Sequence, residues 1–162
     1  MAQFIRSQSR HVTGEITPMH LMKNRNYLWE GGLLCGHRNI LPVLKREIHR
    51  EAIERIVIAE ESDKFWYGDD SAPHQDKNPY GCAAGGLSCV GGFEATVDFF
   101  ESRDALHLLP EFMGARAIRW YGLPVIEKRL LLRKQPWQIP HEVNRIVPFF
   151  TGQTIQWQVV SE

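Results

Sequence analysis

Apolar side chains recur at intervals of three and four residues in one stretch of the chain, residues 41–56. The positions are Leu41, Leu44, Ile48, Ala52 and Ile56. Such spacing places them on one stripe of a helix, so the pattern predicts a helix over this stretch. Before it, residues 12–17 alternate between apolar and polar, which predicts a short half-buried strand. Directly after it, the apolar run 56–59 predicts a second strand.

A second set of elements is predicted after residue 92. Residues 93–99 alternate with period two, which indicates a strand, and Ser102 can cap a helix that reaches Met113. Further strands are predicted at 115–121, 125–133, 145–150 and 154–160, with a turn at 151–153 between the last two.

Strung together, these elements predict an α+β fold with a ferredoxin-like βαββαβ core. The core carries a long insertion between strands 2 and 3, residues 62–92, and a strand-rich C-terminal extension, residues 122–162. A chain of 162 residues has the length of about one domain, so we expect residues 1–162 to form a single domain. A sheet of this kind has helices on one face, so a partner, a ligand or the C-terminal strands must cover the other.

In outline, this predicted arrangement resembles the RAMP proteins of CRISPR complexes. The shared features are the βαββαβ core, the insertion, a glycine-rich stretch at 81–92 and a basic tail. RAMP proteins bind guide RNA, so the resemblance implies an RNA-binding surface. Their glycine-rich loop usually lies near the C-terminal end, whereas this one precedes the predicted third strand, and the resemblance therefore assigns no residue a role.

The glycine-rich stretch lacks the residues that cradle a nucleotide. It contains neither Gly-Lys-Ser/Thr nor Gly-x-Gly-x-x-Gly. We expect its glycines to permit tight turns or the close approach of another stretch of backbone.

Charge is spread unevenly along a chain whose 19 basic and 19 acidic residues cancel. Residues 1–59 carry a net charge of +4, residues 60–105 carry −7, and residues 106–162 carry +3. The zero total excludes an indiscriminate polycation, but it leaves a locally basic binding face open.

The ends and the cysteines indicate a cytoplasmic protein. The first ten residues lack the apolar core of a signal peptide, and no apolar run reaches the length of a membrane helix. Three cysteines in a chain of this size favour reduced thiols over a disulfide framework.

Basic and aromatic residues mix in the C-terminal third, which is the composition of a surface for single-stranded nucleic acid. Cationic groups neutralise phosphates there, and aromatic rings stack on bases. The alternative is a solvated strand face with the tryptophans in the core. The candidate residues are Arg116, Arg119, Trp120, Tyr121, Lys128, Arg129, Arg133, Lys134 and Trp137.

Cys82 is a candidate nucleophile. It follows Gly81 and precedes small residues, where a helix could begin and lower the pKa of its thiol. A histidine would have to lie within hydrogen-bond reach, and the sequence does not select one. The alternative is an inert buried cysteine.

We expect no cofactor, and a bound zinc ion is the alternative. Tetrahedral zinc takes cysteine and histidine ligands, but the spacing here matches no ordinary structural zinc motif. The candidate ligands are Cys35, His37, Cys82 and Cys89.

The acidic stretch 62–80 is a candidate protein-binding loop, because exposed aromatic residues anchor interfaces. The alternative is a solvated loop whose aromatic residues pack into the core. The candidates are Phe65, Trp66, Tyr67, Asp69 and Asp70.

These observations lead to three hypotheses on function, and we expect a protein that is not an enzyme. The leading hypothesis is a non-catalytic subunit of a protein complex that binds RNA or single-stranded nucleic acid. The second is a cysteine-dependent hydrolase or transferase centred on Cys82. The third is an inhibitor or immunity-type module that acts through the 62–80 loop.

Overall fold

A computed structural model describes residues 2–9, 11–32, 34–59, 63–77 and 83–160. The α-helices are α1 (Ala2–Ser7), α2 (Pro18–Met22), α3 (Glu47–Val57), α4 (Gly92–Glu101) and α5 (Arg116–Tyr121). The strands are β1 (Gly14–Ile16), β2 (Phe65–Tyr67), β3 (Leu131–Gln138) and β4 (Thr154–Val160). Short 3-10 helices span Arg25–Trp29, Gly36–Arg38 and Leu106–Leu108, and a π-helix spans Glu111–Ala115.

Strands β1 and β2 are parallel neighbours, with Gly14 opposite Phe65 and Ile16 opposite Tyr67. A parallel pair needs a crossover connection, and here the chain crosses through α3. The short strand predicted near residues 12–17 is confirmed by β1.

The ferredoxin-like prediction is wrong, because its third and fourth strands are helices. Residues 93–99 lie in α4 and residues 115–121 largely in α5. Helix α4 buries Ala95, Thr96, Val97 and Phe100 together. A helix buried on several sides has no single apolar stripe, so its sequence imitates the period-two pattern of a strand.

The predicted helix at 41–56 is partly right. Helix α3 begins only at Glu47 and runs through Val57, where a strand was predicted. Residues 41–46 lie outside the helix, and Leu41, the first member of the predicted apolar stripe, is exposed.

The C-terminal strand prediction is confirmed at β4, but its partner is different. β4 pairs antiparallel with β3, whereas residues 145–150 form no strand. The pairing is irregular between Lys134 and Trp137. Pro136 lies in this interval and has no N–H to donate to the ladder.

Two buried clusters form the core. One packs α3 and α4 against β2 around Val57, Phe65 and Phe100. The other surrounds Tyr27, whose hydroxyl donates to the carbonyl oxygen of Phe149 at 2.9 Å. In the part of the chain that the structure describes, no helix is long and apolar enough to cross a membrane.

Residues 121–131, which we call the 121–131 segment, are exposed throughout although they are rich in apolar side chains. Residues 123–130 form neither helix nor strand. The large exposed side chains are Tyr121, Leu123, Val125, Ile126, Leu130 and Leu131.

Candidate functional site

The carboxyl ends of β1 and β2 meet at one edge of the parallel pair, and polar residues follow each strand there. After β1, the Thr17 hydroxyl accepts from the backbone N–H of His20 at 3.2 Å and caps α2. The Nδ1 atom of His20 lies 2.8 Å from the same hydroxyl, and its Nε2 lies 2.7 Å from the carbonyl oxygen of Pro42. Because a carbonyl only accepts, Nε2 carries the proton, and His20 ties β1 to the loop before α3.

After β2, Gly68 lies against the exposed side chain of Glu15. A Cβ there would lie 2.9 Å from Oε2 of Glu15. Asp69 follows, and its Oδ1 accepts from the Tyr67 hydroxyl at 3.1 Å. Burial, followed by the carboxylate of Asp69, raises the pKa of Tyr67, so the phenol keeps its proton and acts as a donor.

Asp70 differs from Asp69 in both backbone and side chain. Its φ of 49° lies in the left-handed region, which few residues other than glycine adopt. Its side chain is exposed and has no hydrogen-bond partner among the described residues. Asp70 is therefore the exposed carboxylate of this edge, whereas Asp69 is half-buried.

The glycine-rich stretch holds the Asp70 loop in place. The Ser71 hydroxyl accepts from the N–H groups of Ser88 and Cys89, at 3.0 and 3.2 Å. Gly85, at φ 139°, lies so close to Ala72 that a Cβ would be 2.2 Å from its carbonyl oxygen. The close backbone approach predicted for these glycines is therefore confirmed at Gly85.

Lys77 joins this loop to the segment before α3. Its ammonium group donates to the carbonyl oxygens of Asn39 and Ala83, each at 2.9 Å, and to that of Gly85. Three carbonyl oxygens from two separate stretches of backbone, residue 39 and residues 83–85, thus converge on one cation.

The candidate thiols and metal ligands are only partly brought together. The Sγ of Cys35 lies 2.9 Å from Nε2 of His37. Burial raises the pKa of Cys35 and lowers that of His37, so the pair is a neutral thiol and a neutral imidazole. Among the described residues no three metal-binding side chains cluster, and Cys82 lies outside those residues. The described ligands therefore do not fit a zinc site.

The predicted nucleic-acid residues differ in burial and in their contacts. Arg116 is buried and donates to the carbonyl oxygen of Phe65 at 3.1 Å. Arg119 pairs with Glu111, and Lys134 pairs with Glu101. Trp120 packs against Trp66, with the two rings tilted, and Trp137 donates to the carbonyl oxygen of Trp157. The remaining members are exposed: Tyr121, Lys128 and Arg129 lie in the 121–131 segment, and Arg133 lies on β3.

The acidic stretch 62–80 is divided by β2 into buried and exposed parts. Phe65 and Trp66 are buried in the core, and Tyr67 is half-buried. Asp69 and Asp70 lie beyond the strand, at the edge described above. A buried apolar strand that ends in Gly-Asp-Asp-Ser was the available sequence signal for this edge.

Two parallel strands joined through a helix, with polar loops at their carboxyl edge, form the repeating unit of β/α-barrel enzymes, whose active sites lie at that edge. Comparison with known proteins identifies the kind of barrel. No family model matches the chain. It is 41% identical over 153 residues to the mitochondrial dihydroorotase of Arabidopsis thaliana, covering 91% of this chain and 40% of that protein. It is 40% identical to the dihydroorotase of Shewanella frigidimarina, covering 98% of this chain and 47% of that protein.

Solved structures agree. The dihydroorotase of Campylobacter jejuni superposes with a TM-score of 0.84 at 26% identity, covering 98% of this chain and 47% of that chain. The Saccharomyces cerevisiae dihydroorotase in complex with 5-fluoroorotic acid gives a TM-score of 0.81 at 23% identity, covering 98% and 46%. The chain thus spans less than half the length of these relatives, and its fold is that part of a TIM-barrel-like amidohydrolase.

These findings overturn the leading functional hypothesis. The homologues and structural neighbours are dihydroorotases, which are enzymes, so a non-catalytic RNA-binding subunit of a complex is the wrong class of protein. The RAMP resemblance is wrong with it, because it depended on the ferredoxin-like topology.

Proposed function

We propose that this chain forms part of the active site of a dihydroorotase-type hydrolase. The observation that carries the proposal is the similarity to dihydroorotases over nearly the whole chain, at about 40% identity. The carboxyl edge of β1 and β2 supports it, because an exposed aspartate with a left-handed backbone lies there. Hydrogen bonds from the glycine-rich stretch to Ser71 hold its loop.

The substrate class is a dihydropyrimidine ring that bears a carboxylate, as the name dihydroorotase implies. Ring opening adds the oxygen of water to a ring carbonyl carbon and breaks the adjacent carbon–nitrogen bond. One proton of the water ends on the released nitrogen, and the other is lost from the new carboxylic acid. The reverse reaction closes the ring and releases water.

Asp70 is the residue of this chain that suits the proton transfer. Its carboxylate is exposed at the carboxyl edge, where it can take a proton from the attacking water and return it to the leaving nitrogen. Asp69 suits this role less, because its carboxylate already accepts from Tyr67.

Zinc has no step in this scheme. Dihydroorotases typically depend on zinc, but the described residues gather no ligand set for it. A zinc ion in a complete enzyme would need donors from outside these residues.

The cytoplasmic location stays a proposal. One relative is named as mitochondrial, so similarity to dihydroorotases does not by itself select a compartment.

The test compares Asp70→Asn with Asp69→Asn in the protein purified from its host. The measurement is the rate of ring opening of dihydroorotate, monitored by the loss of its ultraviolet absorbance. We expect Asp70→Asn to lower kcat/KM by about 100-fold or more, because general acid–base catalysis contributes that much. Asp69→Asn removes the same charge and should lower kcat/KM by less than about 10-fold. A wild-type protein without this activity, or an Asp70→Asn variant within threefold of wild type, would contradict the proposal.

A further inference from the structure

Two half-buried lysines, Lys77 and Lys64, hold backbone carbonyl oxygens at opposite ends of β2. Lys77 follows the carboxyl end of the strand, and its ammonium group donates to the three carbonyl oxygens described above. Lys64 directly precedes the strand and donates to three others. These belong to Ile5, Gln8 and Ser9, at 3.2, 2.6 and 3.2 Å. An ammonium group has three N–H donors and no acceptor, so the two lysines make the same kind of contact in two places.

The carbonyl oxygens that Lys77 holds border the loop of Asp70. The carbonyl oxygen of Asn39 accepts from Lys77 and from the backbone N–H of Gly85, each at 2.9 Å. Gly85 also lies against Ala72, two positions after Asp70. Lys77 thus joins residue 39 to residues 83–85, and we call these residues together the 39/83–85 wall.

The loop of Asp70 itself is held by contacts that do not involve Lys77. The Ser71 hydroxyl accepts from two N–H groups of the glycine-rich stretch. The backbone N–H of Ala72 donates to the carbonyl oxygen of Gly86 at 3.0 Å. Loss of the Lys77 ammonium group should therefore loosen the 39/83–85 wall and leave the Asp70 carboxylate in place.

We propose that Lys77 is a positioning residue for substrate binding in the dihydroorotase-type hydrolase. It fixes the 39/83–85 wall beside the loop of Asp70, and it takes no part in the proton transfer. The inference rests on the proposed function, since the substrate is the ring of that reaction. A contact that holds the bound substrate equally before and during the reaction changes KM and leaves kcat unchanged.

The test compares the kinetics of ring opening in Lys77→Met and Lys77→Arg, each purified from the same host as wild type. Methionine removes the three donors, so we expect KM to rise about 10-fold or more, with kcat within about threefold of wild type. Arginine keeps the charge and the N–H donors, so its KM should lie nearer to the wild-type value. An unchanged KM in Lys77→Met, a fall in kcat without a rise in KM, or an equal rise in KM for both variants would overturn the proposal.

Lys64→Met is the matched control. It removes the same three kinds of hydrogen bond at the opposite end of β2. We expect it to lower the melting temperature as Lys77→Met does, and to leave both KM and kcat within about threefold of wild type. If Lys64→Met raised KM as much as Lys77→Met, the effect of Lys77 would be one of general stability, and the positioning role would be wrong.

Hydrogen exchange supplies a measurement that does not depend on activity. The backbone N–H of Gly85 donates to Asn39, whereas that of Ser88 donates to the Ser71 hydroxyl. Lys77→Met should speed exchange at Gly85 about 10-fold or more relative to exchange at Ser88, because the wall opens locally. Equal exchange rates in Lys77→Met and wild type would overturn the positioning role. A wild-type protein that does not open dihydroorotate would contradict the proposed function, and the exchange comparison would then decide separately whether Lys77 holds the wall.

Discussion

Arg116 and Arg119 lie one helical turn apart on α5 and have opposite surroundings. The side chain of Arg116 is 4% exposed, and that of Arg119 is 61% exposed, although both contact Glu111. The hydrogen bond from Arg116 to the carbonyl oxygen of Phe65 fixes α5 against β2. The ion pair of Arg119 with Glu111 is exposed, so water and salt weaken it.

Replacement of these two arginines by alanine should therefore have unequal effects on stability. Arg116→Ala leaves a buried carbonyl oxygen unpaired and a cavity behind, and we expect it to lower the free energy of unfolding by about 2–4 kcal/mol. Arg119→Ala removes an exposed ion pair and should cost less than about 1 kcal/mol. Urea denaturation measures both values. Equal losses would show that the buried contact does not stabilise the junction of α5 with β2.

The same comparison shows what the sequence alone does not distinguish among candidate site residues. Arginines three residues apart in a basic stretch are indistinguishable by composition, and only the packing separates the buried one from the exposed one. Asp69 and Asp70 are also alike in sequence, although one accepts from Tyr67 and the other has a left-handed backbone. The residue types in the sequence indicate the acidic edge, but only the structure distinguishes Asp69 from Asp70.

At the scale of elements, Gly91 sets the angle at which the chain enters α4. Its φ is 83°, and a Cβ at this position would lie 2.3 Å from Cδ1 of Ile139. Ile139 is fully buried and cannot move aside. The start of α4 therefore requires glycine for both its backbone and its packing.

Gly91→Ala should lower the free energy of unfolding by about 1–3 kcal/mol, from left-handed strain and overpacking. The matched control is Gly114→Ala in the π-helix, where a Cβ would meet nothing within 4 Å. That change should be neutral or stabilise by up to about 1 kcal/mol, because alanine favours helix. Thermal unfolding measures both, and a neutral Gly91→Ala would refute the account of this turn.

Helices α3 and α4 are tied through Glu54. Its carboxylate accepts from Arg103, which follows α4, at 2.8 Å, and from Arg50 at 2.6 Å. The bond from Arg103 is the largest cause of a pKa below the ordinary value of 4.5. A depressed folded-state pKa means that the unfolded chain binds the proton first as the pH falls.

The stabilisation from Glu54 should therefore be full above about pH 4.5 and disappear as the pH falls through the lower folded-state pKa. The measurement is the difference in free energy of unfolding between wild type and Glu54→Gln at several pH values between 3 and 7, with steps of about one unit. We expect this difference to shrink below about pH 4.5. Glu51→Gln, on the exposed side of α3, should show no such trend, and a difference for Glu54→Gln that does not vary with pH would contradict the tie.

For the whole molecule, the sequence predicted local elements better than their arrangement. β1, most of α3 and β4 follow from local periodicity, although Ile48, a member of the predicted apolar stripe of α3, is exposed. Helix α4 does not, because it is buried on several sides. The pairing of β1 with β2 joins residues about 50 positions apart, and no local pattern encodes such a contact. The wrong topology in turn gave the wrong functional class.

The exposed 121–131 segment has a consequence for the amount of the protein in a cell. Exposed apolar surface of this kind is what chaperones and proteases recognise on misfolded chains. Copies in which the segment stays uncovered would be removed fastest, so the lifetime of the protein would depend on how completely this surface is covered.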